Sequence, residues 1–163
     1  MSQIAHSREE LQDTMAFMAA LSSGLESFIG RAAKGMAFVA GKSMGTKYCE
    51  GAAKTSDVTV ALNTVGDVLN KRNLHWLYEP FKKAADASMV TNGPDGGQSL
   101  HLVFRDCMIR QSLFRYGHAQ QGSLCYMMFG FFSGALEAIM GRKAKLDIIH
   151  SGENSCLKKL TIE

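Results

Sequence analysis

The side chains best suited to chemistry in this 163-residue chain are four cysteines, Cys49, Cys107, Cys125 and Cys156, together with His150. Zinc takes four nitrogen or sulfur ligands in a tetrahedron, at about 2.0–2.3 Å. Cys125, His150 and Cys156 form the best candidate set, with Cys107 as a candidate fourth ligand. His150 and Cys156 fall on the two arms of one predicted hairpin, and Cys125 comes from the helix before it. The thiols have a plainer reading, because cysteine is among the most buried residues and packs as a small hydrophobe. No CxxC pair is present, so neither a zinc ribbon nor a thioredoxin motif can be drawn.

A second chemistry is recognition of an apolar molecule. The stretch GSLCYMMFGFFSGALEAIMGRK, residues 122–143, carries Glu137 as its only charge between Leu124 and Met140. Its methionines and phenylalanines could line a small-molecule site, which is typically concave and mostly apolar. Trp76, Cys125, Met128, Phe129 and Phe132 are the candidate ligand-binding residues. The alternative is plain core packing plus a dimer surface, since a helix apolar on all sides must be covered on all sides. Gly130 and Gly134 share one helix face with Ser133 close by, which permits close approach of a neighbouring helix. At about 17 residues the apolar run falls short of the roughly 20 that a membrane span needs, so it is expected to be a buried core helix.

Other motifs carry less. Gly41-Lys42-Ser43 echoes a phosphate loop, but Met36 stands where its first glycine belongs and the preceding segment reads as helix. His118 falls in a predicted loop. No nucleophile elbow or metal-hydrolase helix is present, and no residue stands out as catalytic. The net charge of +3 is too small to predict nucleic-acid binding. The first residues lack the apolar core of a signal peptide, which gives the expectation of a cytoplasmic protein with reduced thiols.

Hydrophobic spacing supplies the elements. Residues 6–45 read as one broken helix or two, capped by Ser7 with Glu10, breaking at Ser22-Ser23-Gly24 and ending near Gly41 and Gly45. Residues 56–73 read as an amphipathic helix capped by Ser56 or Asp57. Pro80 leaves residues 74–89 ambiguous. Alternation at Ala85, Ala87 and Met89, the turn-rich Asn92–Gln98, and alternation at Leu100, Leu102 and Phe104 predict a hairpin. Residues 114–123 read as loop. The apolar helix then closes at Gly141, and a second hairpin ends the chain. The fold class expected is α+β: one domain over residues 1–163, with an antiparallel sheet of about four strands covered by helices and a helical N-terminal half.

With these features in order, the chain resembles the 4-vinyl-reductase, or hydrocarbon-binding, domain family. The resemblance rests on Cys107, Cys125, Gly130, Gly134, Gly141, Gly152 and Cys156 in sequence, and covers residues 85–163 best. It implies a fold related to the trafficking-complex (TRAPP) subunits that hold an acyl chain in a buried tunnel, a homodimer, and a non-catalytic binding module of sensor or carrier type. Aromatic-sensing members of the family hold zinc through four side chains. Cys125 and Cys156 match two of these, whereas Lys145 and Ile148 stand near the other two positions and cannot bind zinc. Three functions are therefore carried forward. They are a dimeric binding module for a small hydrophobic molecule, a zinc protein built on Cys125, His150 and Cys156, and an assembly subunit whose apolar surface meets a partner protein.

Overall fold

A computed structural model describes residues 2–74, 76–82, 88–115 and 120–163, without the side chains of residues 2–9, 106, 111, 114 and 115. Two helices open the chain, α1 (Ser2–Ile29) and α2 (Ala32–Cys49). The break predicted at Ser22-Ser23-Gly24 lies instead at Gly30, whose φ of 60° is open to glycine at little cost. Because α1 starts at Ser2, Ser7 lies inside the helix and is not its cap. Helix α3 (Val58–Lys71) is capped as expected by Asp57, whose carboxylate accepts the Thr59 and Val60 amides at 2.7 and 3.1 Å.

The sheet is antiparallel. Strands β1 (Trp76–Phe81), β3 (Gln98–Cys107), β5 (Cys156–Ile162) and β4 (Ala144–Ser151) lie in the order β1-β3-β5-β4, and the two-residue β2 (Thr91–Asn92) pairs with β3. The first predicted hairpin needs correcting. On the side of β3 away from β5 the main partner is β1, with Pro80 opposite Leu102, and not the segment around Met89. Pro80 fits there because β1 is an edge strand, where one missing amide costs no ladder bond. Ala85 and Ala87 lie outside the described residues, as does His118. A helix, α4 (Met108–Arg115), occupies the start of the predicted loop. The second hairpin forms as expected, β4 against β5.

Helix α5 (Ser123–Met140) runs between α2 and the sheet. It is long and apolar enough to cross a membrane, but 67% of it is buried inside the fold, as a core helix would be. Gly141, at φ 68°, ends it by returning its amide to Glu137. At the other end Gly122 offers no side-chain cap. Glu26 of α1 does that work across the fold, its carboxylate accepting the Ser123 hydroxyl at 2.6 Å and the Ser123 amide at 2.5 Å. Burial pushes the Glu26 carboxyl up, but the Ser123 bonds and the Lys34 charge outweigh it and hold the group below its ordinary range. A carboxylate at a helix N-terminus is also favoured by the helix dipole.

Gly41 and Gly45 do not end α2. They sit inside it, against α5. A Cβ on Gly41 would stand 1.9 Å from the Met127 carbonyl oxygen, and one on Gly45 would stand 2.0 Å from that of Phe131. Gly130 and Gly134 answer from the other side, 2.0 Å from the Phe38 carbonyl oxygen and 2.1 Å from that of Lys42. Four glycines thus interleave so that two backbones touch. Lys42 lies in mid-helix and pairs with Glu137 at 2.8 Å, which leaves no phosphate loop.

Candidate functional site

Alternation in β5 sends Cys156, Lys158, Leu160 and Ile162 to the face covered by α5. Lys158 therefore enters the core, with only 1% of its surface exposed. Its ammonium group lies 4.2 Å from the centre of the Phe104 ring and 5.2 Å from that of Phe129. Among the described residues its hydrogen bond goes to the Met128 sulfur at 3.5 Å, a weak acceptor. Among the described residues no carboxylate pairs with it. Two cation–π contacts are worth roughly 2 kcal/mol each when desolvated. Burying an unpaired ammonium costs several kcal/mol, so the contacts offset the burial only in part. That burial pushes the Lys158 pKa down, against the upward pull of the thiols of Cys107, Cys125 and Cys156.

Lys158, Met128 and the three thiols bound a small cavity of about 10 Å³, room for about one water molecule. Cys107 comes from β3, Arg110 from α4, Cys125 and Met128 from α5, Cys156 and Lys158 from β5, and Gln121 from the turn before α5. Arg110 is itself buried, donating to the carbonyls of Phe104 (3.4 Å) and Arg105 and reaching the Cys156 sulfur at 4.0 Å. Burial pushes the Cys125 thiol up and Lys158 pulls it part of the way back. A thiol held protonated is a weak nucleophile. A broader hollow of about 450 Å³ along the outer face of α2, by Val39 and Lys47, is open to solvent and gathers no such set of groups.

The structure divides the sequence-predicted residues into three. Cys125 and Met128 line the Lys158 cavity with Cys107 and Cys156, and the Phe129 ring stands 5.2 Å from the Lys158 ammonium. Trp76 and Phe132 lie one layer away in an aromatic cluster. Trp76 sits 5.4 Å from Phe131, and Phe132 sits 5.4 Å edge-on to Phe104, which links the cluster to Lys158. The Trp76 indole NH is buried without a partner among the described residues. His150 is apart from both groups. It pairs with Leu157 across the hairpin, and Leu157 points to the opposite face from Cys156, so His150 is turned outward and exposed. Among the described residues no three His, Cys, Asp or Glu side chains converge as a metal ion would require. The set Cys125, His150 and Cys156 is therefore not assembled, and a lysine amine stands among the thiols instead. Lys158 and Arg110 were not foreseen. The signal for Lys158 was available: with Cys156, Leu160 and Ile162 facing inward, strand alternation admits no other direction for residue 158.

No protein-family model matches the chain, and no curated protein does. Among solved structures the chain is similar to the phenol-responsive sensory domain of the transcription activator PoxR, crystallised with phenol. The TM-score is 0.65 at 15% identity, over 91% of this chain and 73% of that one. At that identity the likeness establishes the fold: an antiparallel sheet packed against helices, of the kind found in a small-molecule sensory domain.

Proposed function

We propose that this chain is a non-catalytic binding module for a small hydrophobic molecule, of sensor or carrier type, acting in the cytoplasm as a homodimer. The observation that carries the reading is the Lys158 cavity, where Met128 and the rings of Phe104 and Phe129 surround a buried ammonium group that has, among the described residues, a weak sulfur acceptor and no carboxylate. The Trp76 NH, beyond Phe104 and Phe132, is buried without a partner among the described residues. A buried polar group without a partner costs about 1–3 kcal/mol, which a ligand could return. Ligand contacts are assigned to Cys125, Met128 and Phe129 first, with Trp76 and Phe132 reached if the ligand extends past Phe104. The fold shared with a domain that responds to phenol supports the same reading.

The test is thermal melting with toluene, phenol, benzyl alcohol, benzoate and octanoate. A compound at ten times its Kd adds about 1.4 kcal/mol to stability, which raises Tm by a few degrees. If none raises Tm and native mass spectrometry finds only the bare chain, the reading fails.

The dimer is supported by α1. Leu11, Thr14, Met18, Leu21, Leu25 and Phe28 recur at intervals of three and four and are all exposed, Phe28 by 88%. That is the spacing of a seam which packs on a second helix of its kind. Light scattering should give twice the 17.8 kDa chain mass, falling to one chain when Leu21 and Leu25 are both changed to Glu. A monomeric wild type would remove the dimer from the reading. Recovery from the native host with a stoichiometric protein partner would favour the assembly-subunit reading.

A further inference from the structure

We propose that the ligand of this cavity is a small organic anion with an apolar body, a carboxylate or an ionised phenol, whose charge is received by Lys158 and Arg110. The inference rests on the binding-module reading and narrows it. Lys158 is a buried cation that points at rings, thiols and a thioether, with no carboxylate partner among the described residues. Arg110, also buried, donates to two carbonyls and reaches Cys156, so among the described residues its charge too has no carboxylate partner. Two buried positive groups on one cavity wall are expensive unless a negative charge joins them. The rest of the lining is apolar or neutral, as an aromatic or aliphatic body requires.

The cavity as it stands holds about one water, so the ligand must displace a side chain. Met128 is the one suited to it. Its unbranched thioether adapts readily to new shapes, and among the described residues its sulfur accepts only the long bond from Lys158. An arriving anion would replace that weak acceptor with a strong one. Burial holds the Lys158 pKa down, and a bound anion would raise it again by favouring the protonated form.

The experiment is titration calorimetry at pH 7 with matched pairs, benzoate against benzyl alcohol and octanoate against octanol. A hydrogen bond to a charged group contributes about 1.5–3 kcal/mol, so each acid should bind roughly ten- to a hundredfold more tightly than its alcohol. The preference should fall to within about twofold in K158M and shrink in R110Q, with the alcohols little affected. Alcohols that bind as well as the acids would overturn the inference and leave the binding-module reading in place. No binding by either class would defeat both. The side chain of Asp106, on β3, is not among those described. An anion preference seen only in D106N would mean that the chain supplies its own counter-charge, and would also overturn the inference.

Discussion

Gly130→Ala should lower the unfolding free energy by about 3 kcal/mol or more, and Gly41→Ala by a similar amount, as read from urea unfolding. The added methyl group at residue 130 would lie 2.0 Å from the Phe38 carbonyl oxygen, and at residue 41 it would lie 1.9 Å from that of Met127. Both obstacles are backbone, so neither can rotate away, and the two helices would have to separate. Overpacking of a core typically costs 1–3 kcal/mol and more where nothing yields. The helix propensity of alanine returns only about 1 kcal/mol. Gly35 is the control. It lies in the same helix α2, but nothing stands within 4 Å of its Cβ position. Gly35→Ala should therefore stabilise the protein by up to about 1 kcal/mol. If Gly130→Ala were as stable as Gly35→Ala, the close contact of α2 with α5 would be wrong.

Lys158→Met should raise stability, by about 1–4 kcal/mol at pH 7, although it removes a charged side chain from the centre of the protein. Replacing buried charge by apolar groups of similar volume often stabilises by that amount. The sign with pH follows from the direction of the shift. Burial lowers the folded-state pKa of Lys158 below its ordinary 10.5. Between the folded and the ordinary pKa the unfolded chain holds more protons, so wild-type stability rises with pH across that window. Below the folded pKa the penalty is fully present. The advantage of Lys158→Met should therefore be largest at neutral and lower pH and should shrink as pH climbs toward 10.5. The groups facing the amine are Cys107 of β3, Cys125 of α5, Cys156 of β5 and Arg110 of α4. Thermal melts of both proteins from pH 6 to pH 10 make the comparison. A loss of stability in the variant would mean that a counter-charge already holds the ammonium, with Asp106 the first to examine.

The residues that made the fold legible were those whose pattern had one physical solution. An apolar run of 17 residues with a single charge had to be largely covered, and α5 is, with 67% of it buried between α2 and the sheet. Asp57 ahead of an amphipathic run is a cap with nothing competing for it. Two alternating segments around Gly152 had to pair. The reading went astray where a local signal met a tertiary answer. Gly41 and Gly45 looked like helix ends, because the carbonyls of α5 that fill the space of their missing side chains lie more than 80 residues away in sequence. Pro80 hid β1, since its tolerance there depends on the strand being at a sheet edge, which local sequence does not carry. Around the proposed site, the nearness of Cys125, Met128 and Phe129 to one another was legible because they follow one another on a single helix. Lys158 was not, because lysine in a strand reads as a surface residue unless its alternation partners are weighed against its charge. His150 was placed near Cys156 by hairpin arithmetic, yet its pairing with Leu157 sends it to the other face.

The central claim is that a small apolar molecule binds between α5 and the sheet, beside Lys158. Methyl NMR of protein labelled at its methionines tests it most directly, during titration with benzoate and then with benzyl alcohol. Met128 lies against the Lys158 amine, whereas Met36 is exposed on α2 away from the cavity. The account predicts a saturable shift of the Met128 methyl signal with at least one of the two compounds while the Met36 signal stays in place. A Met128 signal unmoved at saturating concentrations of both, or shifts confined to Met36 and other exposed methionines, would contradict it.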